Sequence, residues 1–212
     1  MTHNDIYTKF MIEYDKANVT SSYPSLTEYE VATILDKAYL TLIARKLTGN
    51  NTRRMPFEYD TKAVEDLRPL VTSTEFAAKG KTSSCENEWR FILPSDLMYY
   101  IEGVAKYSGD NHEIVLPTNH QIARKFKVTN SNYPWIKQAI SYIEGDTIFV
   151  LVDPFKHDTI FPFEGTYIKE PNYFVNSNFS KDVQFELSDT MAEELISLAI
   201  VFALENVESS RL

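Results

Sequence analysis

The segment from Ser188 to Leu204 has the pattern of one helix that is apolar over most of its circumference. Ser188 or Asp189 can begin this helix. Its apolar positions are Met191, Leu195, Leu198, Ala199, Phe202 and Leu204. A helix with so broad an apolar surface is expected to be covered on more than one side. The rest of the chain must therefore supply at least two packing partners for it.

The longest N-terminal helix is predicted over Leu26–Leu47. Ser25 and Glu28 stand three residues apart, which is the spacing of a capping box. Gly49 suits the left-handed residue that follows the last turn of a helix. The apolar positions of its buried face are Leu26, Tyr29, Ile34, Leu35, Ala38, Leu42 and Ile43.

Two shorter helices flank the long one in sequence. Asp5 can cap a helix that reaches about Lys16. The segment 57–71 carries apolar residues at helical spacing. This second helix is predicted to end or kink at Pro69, because proline has no backbone hydrogen to donate.

The middle of the chain follows a strand pattern instead. The segment 77–88 is polar and small, so it is predicted to be a loop. Aromatic and β-branched residues then predict strands at 88–94, 98–107, 113–117, 124–128 and 167–169. The stretch 141–154 predicts a hairpin that turns at Glu144, Gly145 and Asp146.

These elements predict an α+β fold with N-terminal helices, a central, mostly antiparallel β-sheet and a C-terminal apolar helix. A length of 212 residues suggests one domain over 1–212. Within it, 1–76 is the expected helical part, 77–175 the β-rich part and 176–212 the C-terminal helix.

The composition restricts the classes of partner. The formal net charge is −9, which argues against a protein that binds DNA or RNA over its whole surface, or an anionic membrane. Apolar runs are too short to span a bilayer. The one cysteine, Cys85, allows no internal disulfide and has no neighbouring lysine or histidine to activate its thiol.

Recognisable catalytic patterns are lacking. The four histidines do not have metal-site spacing, although His112 and His120 could approach each other across a strand. Solvated loop histidines are the favoured interpretation. The six glycines form no phosphate-binding loop or nucleophile turn. The sequence therefore predicts no catalytic, cofactor-binding or metal-binding residues.

Basic residues concentrate in two stretches. One holds Arg45, Lys46, Arg53 and Arg54, and the other holds Arg124, Lys125 and Lys127. Such stretches can contact nucleic acid, or they can be solvated loops or pair with acidic neighbours. Because the net charge is negative, ion pairs with a partner subunit are favoured over contacts with phosphates. The residues predicted for a protein interface are Arg53, Arg54, Glu208, Arg211 and Leu212.

Three stretches together carry a family resemblance. They are LTEYEVATILDKAYLTLIARKLTGNN with FEYDTKAVEDLRPLV, NYPWIKQAISYIEGDTIFVLVDP with GTYIKEP, and FELSDTMAEELISLAIVFALENVESSRL. The chain resembles small virion structural proteins of tailed bacteriophages, especially crAss-like phages of Bacteroides, and most of all the ring or adaptor proteins of the head–tail connector. Ser188 departs from a proline common in related patterns, and Thr190–Met191 replace a histidine-containing turn.

The resemblance implies a non-enzymatic virion protein of the neck or tail region, made in the host cytoplasm. Its expected partners are its own copies in a homo-oligomeric ring of about twelve, the portal and neighbouring tail or ring proteins, with viral DNA passing without sequence-specific binding and no membrane contact. The terminal ENVESSRL is expected to reach a neighbouring ring. Two alternatives stay open: a virion structural protein that forms no ring, and a small cytoplasmic hydrolase.

Overall fold

A computed structural model of the protein describes residues 1–17, 25–48, 61–82, 85–107, 112–128, 138–153, 161–179 and 182–209. These residues form helices and one mixed sheet, so the α+β prediction is confirmed. In chain order the helices are α1 (His3–Ala17), α2 (Glu28–Leu47), α3 (Thr61–Leu67), α4 (His120–Val128), α5 (Phe174–Ser177) and α6 (Asp189–Ser209). The strands are β1 (Val71–Glu75), β2 (Ala78–Thr82), β3 (Cys85–Ile92), β4 (Leu97–Lys106), β5 (His112–Pro117), β6 (Ile140–Glu144), β7 (Thr147–Leu151) and β8 (Phe163–Lys169).

The chain divides into two compact units. The helical unit joins Met1–Leu70 with Pro171–Leu212, and the sheet unit is Val71–Glu170. The first helical segment ends at Leu70 rather than at residue 76, because β1 begins at Val71. The prediction of one domain over 1–212 stays a prediction.

The starts of α1 and α2 differ from the predicted ones by three and two residues, whereas α6 starts at Asp189, one of the two starts predicted for it. At α2, Thr27 rather than Ser25 is the N-cap: the Glu30 N–H donates to Thr27 Oγ1 at 3.3 Å, and the Thr27 N–H donates to Glu30 Oε2 at 2.8 Å. This capping box starts α2 at Glu28. Tyr29, which was predicted on the buried face, is 70% exposed. Gly49 lies outside the described residues.

The same exchange of hydrogen bonds begins α1. The Asp5 N–H donates to Thr2 Oγ1 at 3.1 Å, and the Thr2 N–H donates to Asp5 Oδ2 at 2.9 Å. Thr2 is thus the capping residue, and Asp5 is the residue three positions later that completes the box. At the other short helix, α3 ends at Leu67 and continues as a 3-10 turn that contains Pro69, as the missing proline donor requires.

Apolar faces of α1, α2 and α6 build the core of the helical unit. Helix α6 packs against both α1 and α2, which confirms that it is covered on more than one side. Its residues Met191, Ala192, Leu195, Ile196, Ala199 and Ala203 are buried, whereas Leu198, Phe202 and Leu204 are half-buried. Part of the broad apolar surface of α6 therefore stays in contact with solvent.

The sheet must curl, because its two edge strands, β1 and β2, are joined by a short connection. The strand order is β1-β8-β4-β5-β6-β7-β3-β2, and β5–β6 is the one parallel pair in this order. Although β1 and β2 are at opposite ends of the order, only Phe76 and Ala77 separate them in sequence. Three Cα steps of about 3.8 Å place the two edges within about 11 Å of each other.

Two sequence predictions for the sheet unit are wrong and one is confirmed. The segment 77–88 is not a loop, because it contains β2 and the start of β3. The segment 124–128 is not a strand, because it is the end of α4. The hairpin is confirmed as β6 and β7, with Gly145 in the turn at a φ of 61°.

Large aromatic side chains fill the inside of the curled sheet. Phe91 and Phe163 are fully buried there, with ring centroids 5.0 Å apart. Two glycines that are paired across β4 and β8 leave room for aromatic rings: Gly103 lies against the ring of Phe163, and Gly165 lies against the ring of Phe76. A Cβ at Gly103 would overlap with the ring of Phe163, so glycine is needed where the ring lies against the strand.

Candidate assembly surfaces

The predicted interface residues are not placed by the structure. Arg53, Arg54, Arg211 and Leu212 lie outside the described residues. Glu208 belongs to the last turn of α6, but its side chain is likewise outside the described part of the chain. The prediction that these residues form an interface stays a prediction.

The two histidines that were considered as metal ligands lie on different elements of the sheet unit. His112 starts β5 and His120 starts α4, and both are exposed. Among the described residues, no three His, Cys, Asp or Glu side chains are grouped as metal ligands. Within the same part of the chain, no helix is long and apolar enough to cross a membrane.

An open groove of about 520 Å³ lies between α2 and α6 in the helical unit. We call it the helix groove, and its lining residues are Leu42, Arg45, Thr190, Glu193, Glu194, Ser197, Leu198 and Val201. Val201 is 48% exposed, and Leu198 is half-buried. The groove therefore presents aliphatic side chains to solvent between polar ones, which is the composition of many protein-binding surfaces.

The charged residues on the α6 side of the helix groove, Glu193 and Glu194, are both carboxylates. The sequence of α6 contains Asp189, Glu193, Glu194, Glu205 and Glu208 and no Lys, Arg or His. Glu193 forms an ion pair with Lys9 of α1, and both side chains are about half exposed. Because solvent screens such exposed pairs, this contact leaves much of the negative potential in place.

Lys46 contributes a positive charge next to Glu194, which lines the groove. It lies 2.7 Å from Asp66 Oδ2 and 3.5 Å from Glu194 Oε2, and it is 14% exposed. Burial lowers the pKa of Lys46, but its pairs with Asp66 and Glu194 outweigh burial, so the net pKa is raised. Lys46 thus stays charged and holds Glu194 at the rim of the groove.

The sheet unit has a surface of the opposite charge, built on α4. Asn119 starts α4 by accepting the Ile122 N–H at 2.9 Å. Ala123 is buried against the outer side of the β6–β7 hairpin, where it shares a cluster with Ile140, Tyr142 and Leu151. The ring of His120 meets that of Tyr142 edge-on, with centroids 5.2 Å apart.

Tyr142 links this helix to a buried carboxylate. Its hydroxyl donates a hydrogen bond of 2.6 Å to Glu88, which is only 1% exposed. Its ring is stacked on Phe149 at 4.9 Å. The outer face of the hairpin is therefore a rigid support that fixes the direction of α4.

The side of α4 away from the hairpin is cationic and partly aliphatic. Arg124 and Lys125 are exposed, and Ile122 is 42% exposed. The helix contains no Asp or Glu. An exposed helix of this kind offers cations and apolar area to a partner at the same time.

The adjoining strand β5 adds aliphatic area on the same face of the sheet. Ile114 is 55% exposed and Leu116 is 43% exposed. Leu116 is paired with Ile140, which contacts Ala123, so its side chain points to the face that carries α4. We call Ile114, Leu116, Ile122, Arg124 and Lys125 the basic–aliphatic surface.

Sequence reasoning identified the cations of this surface but not its aliphatic part. Ile114, Val115 and Leu116 are consecutive, and only Val115 faces the interior, where it is fully buried. A strand that is apolar on both faces signals that its outer face is also to be covered. That signal was present in the sequence.

Comparison of the sequence with models of known protein families and with curated proteins finds no match.

Proposed function

We propose that this protein is a structural, ring-forming subunit of the head–tail connector of a tailed bacteriophage. It extends the DNA channel between portal and tail and docks tail components. The three resembling stretches support this assignment. The structural observation that carries it is the pair of solvent-exposed surfaces with aliphatic centres, the helix groove on one unit and the basic–aliphatic surface on the other.

Two different surfaces are what a ring subunit needs. In a closed ring each copy contacts the next one head to tail, so every copy must carry two distinct patches that complement each other. Exposed aliphatic side chains next to charges of opposite sign on the two units fit this requirement.

The net charge of −9 fits a passive DNA channel. DNA slides through a channel with an acidic lining because carboxylates repel phosphates, and no counterions are released by binding. The function proposed for the protein is thus mechanical, and it needs neither a cofactor nor a catalytic residue.

Mass spectrometry of purified virions and a reconstruction of their neck test this function. The expected result is a ring of about twelve copies between portal and tail. Absence of the protein from virions would overturn the proposal, and so would turnover in a hydrolase screen that one point substitution abolishes. Presence in virions without a ring would favour the other virion structural class.

A further inference from the structure

We propose that the basic–aliphatic surface of one copy docks in the helix groove of the next copy. The partner is therefore a second copy of this chain, and the contact is head to tail. The inference rests on the proposed function for its place in the virion, but the contact itself is defined by residues of the chain alone.

The charges of the two surfaces are complementary. Helix α4 contributes Arg124 and Lys125 without any carboxylate, whereas α6 contributes only carboxylates, among them Glu193 and Glu194 at the groove. Opposite potentials guide two proteins together and fix the register of their contact. All four side chains are exposed. Glu193 and Glu194 are already paired with Lys9 and Lys46 within the chain, so an incoming cation would share these carboxylates without any rearrangement of the core.

The helix groove also sets a direction for the contact. Arg45 lies on the α2 side and Glu193 on the α6 side. Cations from a docking helix are repelled by Arg45 and attracted by Glu193. We therefore place Arg124 and Lys125 of the incoming copy over α6, with Arg45 at the opposite side.

The basic–aliphatic surface and the helix groove each expose an aliphatic side chain to a similar extent. Ile122 is 42% exposed on α4, and Val201 is 48% exposed in the helix groove. Mutual burial of such side chains removes apolar area from water on both copies, which is the main favourable contribution to protein association. Leu116 and Ile114 extend the apolar strip beside α4 and would cover the rest of the groove.

The same features disfavour nucleic acid as the occupant of the basic–aliphatic surface. Binding to phosphates requires cations, and the three exposed aliphatic side chains of this surface do not contribute to it. The chain also carries 30 acidic against 21 basic residues, so its overall field repels DNA. DNA binding is therefore an outcome of the test rather than the proposal.

The test uses two full-length variants that each lose one surface. Ile122→Asp places a carboxylate in the basic–aliphatic surface, and Val201→Asp places one in the helix groove. Each is expected to weaken self-association by roughly tenfold or more. Mixed together, the two variants still offer one intact groove and one intact basic–aliphatic surface, so they are expected to form a 1:1 dimer and no larger species.

Matched controls separate docking from folding. Ile12→Asp on α1 and Ile92→Asp on β3 alter side chains that are 49% and 40% exposed, outside both surfaces, and should assemble like the wild type. Circular dichroism and melting temperature should be the same for both surface variants and the wild type. Masses are measured by analytical ultracentrifugation over a range of concentrations.

Four results would overturn the docking proposal. The first is a wild type that stays monomeric to roughly 1 mM, where weak contacts already associate. The second is surface variants that assemble like the wild type, and the third is two monomeric variants whose mixture stays monomeric. The fourth, with a DNA duplex added to the same centrifugation runs, is a wild type that binds the duplex and an Ile122→Asp variant that loses this binding while its self-association is unchanged. Because these measurements need no virions, docking can fail while the connector function holds. Conversely, docking can hold for a protein that purified virions lack.

Discussion

The ring of Phe76 occupies the space next to Gly165 where any other residue would carry its Cβ. Phe76 is 3% exposed and lies between the rings of Phe163 and Tyr167, with centroids 5.6 and 6.0 Å away. The ring therefore cannot move aside at low cost. Since Phe76 is also the first of the two residues that link β1 to β2, its packing fixes the place where the sheet curls.

Gly165→Ala is expected to destabilise the protein by about 1–3 kcal/mol, the usual cost of adding a methyl group to a filled core. Urea unfolding followed by fluorescence measures this change in the free energy of unfolding. Phe76→Leu removes the ring atoms that the new Cβ would meet. The double variant should therefore be more stable than the sum of the two single effects predicts. Strict additivity would show that the Phe76 ring is not what excludes a side chain at Gly165.

Thr27→Ala is expected to lower the stability of the protein by about 0.5–2 kcal/mol, because it removes the oxygen that accepts the Glu30 N–H. The matched control is Ser25→Ala, since Ser25 is the cap that sequence spacing predicted. Thermal unfolding should show a lower melting temperature for the Thr27 variant and no change for the Ser25 variant. The reverse ranking would restore the predicted helix start at Leu26.

Leu35→Asp is expected to prevent folding of the helical unit. Leu35 is fully buried on α2, and a carboxylate without a partner in such a site costs several kcal/mol. That cost is comparable with the whole stability of a domain. Tyr29→Asp serves as the control on the same helix, because Tyr29 is 70% exposed. Wild-type circular dichroism and melting temperature for Leu35→Asp would contradict the buried position of this side chain.

The stability of the helical unit is expected to fall in mild acid because of His3. The His3 ring is fully buried, stacked on Phe174 at 4.2 Å, with Nδ1 2.6 Å from Ser177 Oγ. Burial lowers the pKa of His3 from its ordinary value of 6.5, although the negative charge of Glu186 acts in the opposite direction.

The folded protein therefore binds a proton at His3 less readily than the unfolded chain does. The stabilisation is fully present above a pH of about 6.5, and it is lost as the pH falls from there through the lowered pKa. The free energy of unfolding changes with pH because of His3, and the slope of this change is at most about 1.4 kcal/mol per pH unit. Urea unfolding at several pH values should show this slope for the wild type and for His112→Gln, whose histidine is exposed. The slope should be smaller in His3→Gln, and an unchanged slope there would assign it to other groups.

Sequence periodicity predicted the long helices and the β6–β7 hairpin because each is defined within its own segment. Helix α4 was missed because charged and apolar residues alternate over the four positions 125–128, as they would in a strand. The residues that make it helical come earlier. Asn119 supplies the cap, and His120 and Ala123 place one face against the hairpin at a spacing of three residues.

Strand β2 was missed for a different reason. Its sequence, AKGKT, is polar because β2 is at the end of the strand order and most of its side chains face solvent. Edge strands are often charged, which protects them from pairing with other chains, so hydropathy does not mark them. The helix groove also could not be predicted from the sequence. Leu42 and Val201 belong to separate helices, and only their packing brings them to one groove.

The division of the chain has a consequence for synthesis. The sheet unit is one continuous stretch, so we expect it to form once Glu170 has left the ribosome. Helices α1 and α2 are made earlier, but α6 follows only after the whole sheet unit. Until then the apolar faces around Phe10 and Leu35 lack the helix that covers them. A nascent chain stalled before Asp189 would therefore expose these faces, and such a chain is expected to aggregate or to bind chaperones.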